Sequence, residues 1–214
     1  MTHPEPWPLR HLVLRTPRLE LRPDDDAGLA ELVEEAYRGV HDPATMPFLQ
    51  PWTDADPRHL GRRSLQHYWS QRAQLTPESW SVHFLVRHQG RVLGEQGVSG
   101  VDFAVLREID TGSWLGRRHQ GRGFGTEMRA AVLQFAFDHL GATAATSGAF
   151  ADNAASHAVS RKLGYRRNGT RTLVRRGEPA VEVLLRLAPA DFVRPDWTVE
   201  VEGLDGCRGL LGAG

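Results

Sequence analysis

The stretch Gln120-Gly121-Arg122-Gly123-Phe124-Gly125-Thr126-Glu127 places three glycines between a strand-like segment ending at Leu115 and a run of apolar residues at Met128, Ala131, Val132, Phe135, Ala136 and Leu140. That spacing marks one face of a helix, and Gly141 is its natural stop. A glycine-rich turn opening a helix is a place for phosphate. The first amides of the helix have no partner in the chain, the helix dipole is positive there, and residues without Cβ let a diphosphate approach the backbone. Arg117, Arg118 and Arg122 add charge beside it.

Other phosphate loops fail on spacing. A dinucleotide fingerprint starting at Gly121 needs glycine where Thr126 stands, and a Walker A loop needs Gly-Lys-Ser/Thr, whereas the only lysine, Lys162, follows Arg161. No Gly-x-Ser-x-Gly elbow of an α/β-hydrolase occurs.

Working outward toward the N-terminus, Phe103 to Leu115 reads as a strand bent near Arg107. Before it, 80–86 and 91–98 alternate about a Gln89-Gly90 turn and read as a hairpin. Leu60, Leu65, Tyr68, Trp69 and Ala73 space a helix over 58–74, and Leu29, Leu32, Val33 and Ala36 space another behind the acidic cap Asp24-Asp25-Asp26. Between these helices Val40 to Pro57 is a proline-broken loop carrying Met46, Phe48 and Trp52. Such loops serve as lids or binding surfaces when they do not simply pack on the core. Toward the C-terminus the order is strand (142–150), helix (153–163), strand (165–175), turn, strand (181–187). A hairpin run, a βαβα unit and a closing hairpin predict an α/β (α+β) domain with one mixed sheet and helices on its faces. Residues 1–15 read as an N-terminal segment, 16–188 as the domain, and 189–214 as a separate Gly-rich tail docking through Phe192 and Trp197 and fraying at its end.

The chain has 214 residues with 40% hydrophobic content, enough for an ordinary core, and 26 acidic residues balance 26 basic ones. The charge balance gives no argument for a nucleic-acid or membrane-surface partner. A single cysteine, Cys207, excludes an internal disulfide and a cysteine-based metal site. With no apolar run of membrane-spanning length and no signal-like start, the expectation is a cytoplasmic protein without a metal.

Gln120-x-x-Gly123-x-Gly125 resembles the Gln/Arg-x-x-Gly-x-Gly/Ala signature of the GNAT superfamily of N-acetyltransferases. Gly112-Ser113-Trp114-Leu115, Asn153-Ala154-Ala155-Ser156, Arg161-Lys162-Leu163-Gly164-Tyr165 and the opening Thr16-Pro17-Arg18-Leu19-Glu20-Leu21-Arg22 are similar to the RimJ/RimL-type branch. The resemblance spans 16–188 and leaves the tail outside. It implies a mostly antiparallel sheet splayed at an acyl-CoA site, and transfer of acetyl from acetyl-CoA to a primary amine, either a peptide N-terminus or a small molecule. Succinyl-CoA or another larger acyl-CoA is the alternative donor, and an acyl-CoA-binding module without catalysis is the alternative class. A homodimer is an expectation from the resemblance alone.

The resemblance also implies roles. The loop Gln120, Gly121, Arg122, Gly123, Phe124, Gly125 and Thr126 is expected to hold the diphosphate. Main-chain groups at Trp114 and Leu115 are expected to pair with the pantetheine arm, with an amide at Ser113 or Trp114 holding the thioester oxygen. Asn153 and, one turn on, Ser156 are expected to contact the arm, although Asn153 also reads as a helix cap. An amine must lose a proton before it attacks, and Glu108 and Asp110, alternating on one strand face, are the candidate bases. Ser160, seven residues after Asn153, is the candidate donor to the departing thiolate. Tyr165 reads as core, His119 and His157 have no assigned role, and Cys207 is chemically able to carry an acyl group, although its tail position favours direct transfer.

Overall fold

A computed structural model describes residues 3–214. Nine strands form one sheet: β1 (Val13–Arg15), β2 (Glu20–Pro23), β3 (Ser79–His88), β4 (Arg91–Val101), β5 (Glu108–Leu115), β6 (Ala144–Phe150), β7 (Arg166–Arg175), β8 (Glu178–Leu187) and β9 (Glu200–Glu202). Their order across the sheet is β7-β8-β6-β5-β4-β3-β2-β1-β9, antiparallel everywhere except between β5 and β6. The helices are α1 (Asp26–Tyr37), α2 (Pro57–Gln74), the single turn α3 (Phe103–Leu106), α4 (Phe124–Gln134), which continues as a π-helix over Phe135–Leu140, and α5 (Ala154–Lys162).

Alternation along the strands sorts the two faces. Trp80, Val82, Phe84 and Val86 of β3 join Ile109 and Leu115 of β5 in the main core under α4. Leu85 of β3 faces the other way, against Leu29 and Leu32 of α1 and Tyr68 of α2. Asp25 caps α1 by accepting from the Gly28 amide at 2.7 Å. Asp56 caps α2 with Pro57 in its first turn, and Gly141 closes the α4 extension at φ +74°. The last hairpin turns on Arg176 and Gly177, both at positive φ, a two-residue turn matched to strand twist.

One expectation is corrected. The strand read from Phe103 begins only at Glu108, because Asp102 and Arg107 take left-handed conformations and wrap 103–106 into one helical turn. Strands on both sides of residues 16–188 also join the sheet, since β1 pairs with β2 and with β9. β9 of the tail pairs with β1, Leu204, Cys207 and Leu211 are buried, and the Gln134 side chain accepts from the Val199 amide and donates to the Trp197 carbonyl. Phe192 and Trp197 dock the tail as expected, and Leu204, Cys207 and Leu211 between its glycines join the same core.

Candidate active site

β5 and β6 pair only at Glu108–Ala144, Ile109–Ala145 and Asp110–Thr146, yet β5 runs on to Leu115 and β6 to Phe150. The sheet therefore opens into a wedge-shaped gap. On its β4 side β5 stays fully paired, and the Gly116 amide donates to the Leu93 carbonyl at 2.8 Å. The two-residue alternation of an antiparallel ladder then turns the main-chain groups of Ser113 and Leu115 toward the gap and those of Trp114 toward β4. An extended arm lying in the gap would find Ser113 and Leu115.

At the wide end of the gap stands the glycine loop. Gly121 and Gly123 have φ of +74° and +83°. The amides of Gly121, Arg122, Gly123, Phe124 and Gly125 donate to no main-chain carbonyl, whereas Thr126 and Glu127 bond back to the Gly123 carbonyl. Gly121, Arg122 and Gly123 are exposed. Several side chains fix the loop from behind. Gln120 donates to the carbonyls of Val40 and Leu115 at 2.8 and 2.9 Å, so its amide anchors the loop rather than reaching out of it. Glu127, 7% exposed, accepts from the Thr16 hydroxyl at 2.6 Å and from the main chain and guanidinium of Arg18. Arg18 also lies over the Phe124 ring at 4.7 Å. Buried Glu35 of α1 pairs with Arg118, His119 and Arg38. It takes up Arg118 and His119, and burial lowers the pKa of the His119 imidazole despite Glu35.

Among the described residues, two buried polar atoms on the helices beside the gap, Nε of Arg129 on α4 and Oγ of Ser160 on α5, have no protein partner. Arg129, 4% exposed on α4, reaches Ser113 of β5 at 3.1 Å and Ser147 of β6 at 3.3 Å, one hydroxyl on each diverging strand. Unpaired buried polar groups cost about 1–3 kcal/mol each, so the gap is built for a polar guest. Free loop amides and unsatisfied atoms along the slot fit a diphosphate followed by an amide-bearing arm.

Asn153 caps α5, its Oδ1 accepting from the Ser156 amide at 3.1 Å, which leaves both N–H groups of its NH₂ free to donate to a ligand. Ser156 is half-buried one turn on. Tyr165 is core, its hydroxyl bonded to Thr111 at 3.1 Å. His157 bonds the Phe150 carbonyl at 3.0 Å, and Cys207 is buried in the main core.

The closed end of the gap meets a cavity of about 690 Å³ between the α1/α2 layer and the sheet. Asp110 lines it and Glu108 does not. Glu108 is ion-paired with Arg186. Asp110 is exposed at the cavity surface, yet the protein packed around it still raises its pKa above the ordinary value, although Thr146 donates to it at 2.7 Å.

A cluster missed from sequence forms the rest of the floor. Glu95 of β4, 6% exposed, bonds His83 Nδ1 at 2.9 Å, and His83 Nε2 lies 3.2 Å from Ser81. Burial disfavours the charged His83 ring, but Glu95 and Asp24 outweigh that and raise its pKa. Burial keeps the Tyr68 hydroxyl protonated far past its usual range and lowers the pKa of His67. The available signal was a carboxylate set in mid-strand between glycines, Gly94-Glu95-Gln96-Gly97, where an exposed face would carry no such constraint. The roof is the loop before α2: Phe48, Trp52 and Trp114 stack in a row with ring centroids 5.3 Å apart at each step, and Trp114 Nε1 donates to the Tyr68 hydroxyl at 3.3 Å. No group of three or more metal-ligating side chains comes together among the described residues.

Residues 18–166 match the sequence model of the Acetyltransferase (GNAT) domain. Among solved structures, Mycobacterium smegmatis RimJ in complex with CoA-disulfide is 18% identical over 96% of each chain, with a TM-score of 0.70. RimL, a ribosomal L7/L12 alpha-N-protein acetyltransferase in complex with coenzyme A, is 16% identical over 81% of this chain and 95% of its own, with a TM-score of 0.63. A spermidine N-acetyltransferase SpeG chimera from Vibrio cholerae and hSSAT is 14% identical over 81% and 96%, with a TM-score of 0.63. The splayed sheet, its glycine loop and the family match covering more than half the chain agree: the protein belongs to the GNAT acetyltransferase family, with RimJ/RimL-like neighbours, and is an N-acetyltransferase.

Proposed function

We propose that the chain transfers an acetyl group directly from acetyl-CoA to a primary amine held in the 690 Å³ cavity. The observation that carries this reading is the gap between β5 and β6, with free loop amides at one end and a cavity-lining carboxylate, Asp110, at the other. Acetyl-CoA supplies the activated acyl group. The amides of 121–125 bind its diphosphate, the outward groups of Ser113 and Leu115 align the arm, and the Asn153 NH₂ with Ser156 steadies it from α5.

An aliphatic ammonium with a pKa near ~10 is almost wholly protonated at neutral pH. Asp110 accepts its proton, directly or through water, and the raised pKa makes it a better acceptor than an ordinary carboxylate. The Ser113 amide donates to the carbonyl oxygen as negative charge develops there. The buried, unpartnered Ser160 hydroxyl donates to the sulfur as it departs. Glu108, held by Arg186 outside the cavity, takes no part.

One observation favours a longer, carboxylated acyl chain such as succinyl. Arg129 is a buried guanidinium with no acidic partner among the described residues, set across the gap. Against it, Asp110 and Glu95 face the space such a chain would enter. Thiol release from a panel of acyl-CoAs with a mixture of amines decides the donor. Acetyl-CoA is expected to lead, and a preference for succinyl-CoA abolished by Arg129→Gln would overturn the acetyl assignment.

A further inference from the structure

We infer that the acceptor is a small monoamine with an apolar body of aromatic size, rather than a polyamine or the N-terminus of a protein; this rests on the acyl transfer proposed above. The cavity volume lies within the roughly 300–1,000 Å³ of small-molecule sites. On its floor Glu95 and Asp110 can receive one ammonium, while the roof loop adds Gln50 and Asp54 and α2 adds Arg63 and Ser64. Above the floor the wall is the row Phe48, Trp52 and Trp114, each half-buried and so presenting open ring surface. Such surface binds apolar and aromatic bodies, and its ring faces also attract a cation passing inward.

Both other acceptor classes meet obstacles. A polyamine needs carboxylates spaced along the cavity, but the remaining one, Asp54, is held by Nε and one terminal nitrogen of Arg176. Arg63, which has no ion-pair partner among the described residues, adds positive charge to the wall. A peptide needs an open channel between the roof loop and the β7–β8 hairpin. That channel is bridged. Arg176 also donates to the Pro43 carbonyl at 3.2 Å, and Arg175 donates to the Met46 carbonyl at 3.1 Å while pairing with Asp152 at 2.8 Å. The two arginines at the hairpin tip thus clip the roof loop down along its length.

The test uses the full chain saturated with CoA or acetyl-CoA and three probes: 3-phenylpropylamine, spermidine and a hexapeptide with a free N-terminus. Binding to the CoA complex is measured by calorimetry and transfer by thiol release. Phenylpropylamine is expected to bind most tightly and to show at least ~10-fold higher kcat/KM, with Trp52→Ala removing most of that advantage. Preference for spermidine or the peptide overturns the inference. If no amine is acetylated but phenylpropylamine still binds and Trp52→Ala abolishes binding, the acceptor class stands and the transfer reading falls. If phenylpropylamine neither binds nor reacts, the acceptor class falls. Arg176→Ala, which leaves the floor untouched, is expected to raise peptide turnover several-fold; unchanged peptide turnover refutes the clip as the barrier.

Discussion

The glycine loop permits a paired test, because Gly123 and Gly125 are two residues apart and face different constraints. Gly123 sits at φ +83°, and a Cβ there would approach the Arg18 guanidinium to 3.2 Å. The left-handed conformation costs an L-residue about 1–2 kcal/mol, and Arg18 cannot yield freely because Glu127 and the Phe124 ring hold it. Gly123→Ala is therefore expected to rotate the loop backbone away from its present course. Turning one amide away from a doubly charged diphosphate forfeits about 1.5–3 kcal/mol, a loss of roughly 10- to 150-fold in CoA affinity. Gly125 lies inside the first turn of α4 without positive φ, and a Cβ there would make ordinary contacts with Val159 at 3.7 Å and Leu115 at 3.9 Å. Gly125→Ala is expected to keep CoA affinity and to stabilise the helix by up to about 1 kcal/mol. Calorimetric titration with CoA, beside thermal melts of the free proteins, measures both. Equal CoA affinities for Gly123→Ala and the parent, or equal losses for the two variants, would refute the assignment of this loop.

Further expectations concern ionisation and packing. As pH falls through the raised pKa of Asp110, the base becomes protonated; the acid limb of kcat/KM should lie above the ordinary carboxylate range and vanish, with most of the activity, in Asp110→Asn. Glu108→Gln, by contrast, should leave kcat within about twofold, since Glu108 meets Arg186 at an exposed site where a pair contributes about 1 kcal/mol or less. Asp24, 6% exposed at its side chain beside Arg72, has its pKa raised from 3.8 to about 6 by burial. The folded state thus holds this proton more tightly than the unfolded chain. The resulting stability is present below pH ~4 and is lost as pH rises toward ~6, by about 3 kcal/mol, a slope that denaturant titrations should show reduced in Asp24→Asn. Cys207, fully buried with its thiol pushed up to about 11, should resist a thiol reagent in the native protein and react at once in denaturant.

Local chemistry was enough to read the glycine loop, the α4 face behind it, the caps of α1 and α5, and the hairpins, since each depends on residues within a few positions of one another. Thr126 in place of a third fingerprint glycine, and the absence of Gly-Lys-Ser/Thr, already separated this loop from other phosphate loops. Asp110 and Glu108 were indistinguishable in sequence because they share a strand face. They part only when Arg186, distant in the chain, pairs with one and the other comes to line the cavity. The same holds for Gln120, whose amide reads as a ligand until Val40 and Leu115 are brought beside it.

Tertiary structure alone decided how wide the gap is, what lies on its floor and what closes its roof. Glu95, His83 and Tyr68 come from three elements whose register sets them side by side, and no local pattern carries that information. The tail belongs to the core because of where its sparse apolar residues land rather than because of their number. Sequence fixes a short-range conformation through sterics and hydrogen bonding within a turn or two. Burial, pairing and pKa arise from neighbours far apart in the chain, and these are set only when the whole sheet closes around them.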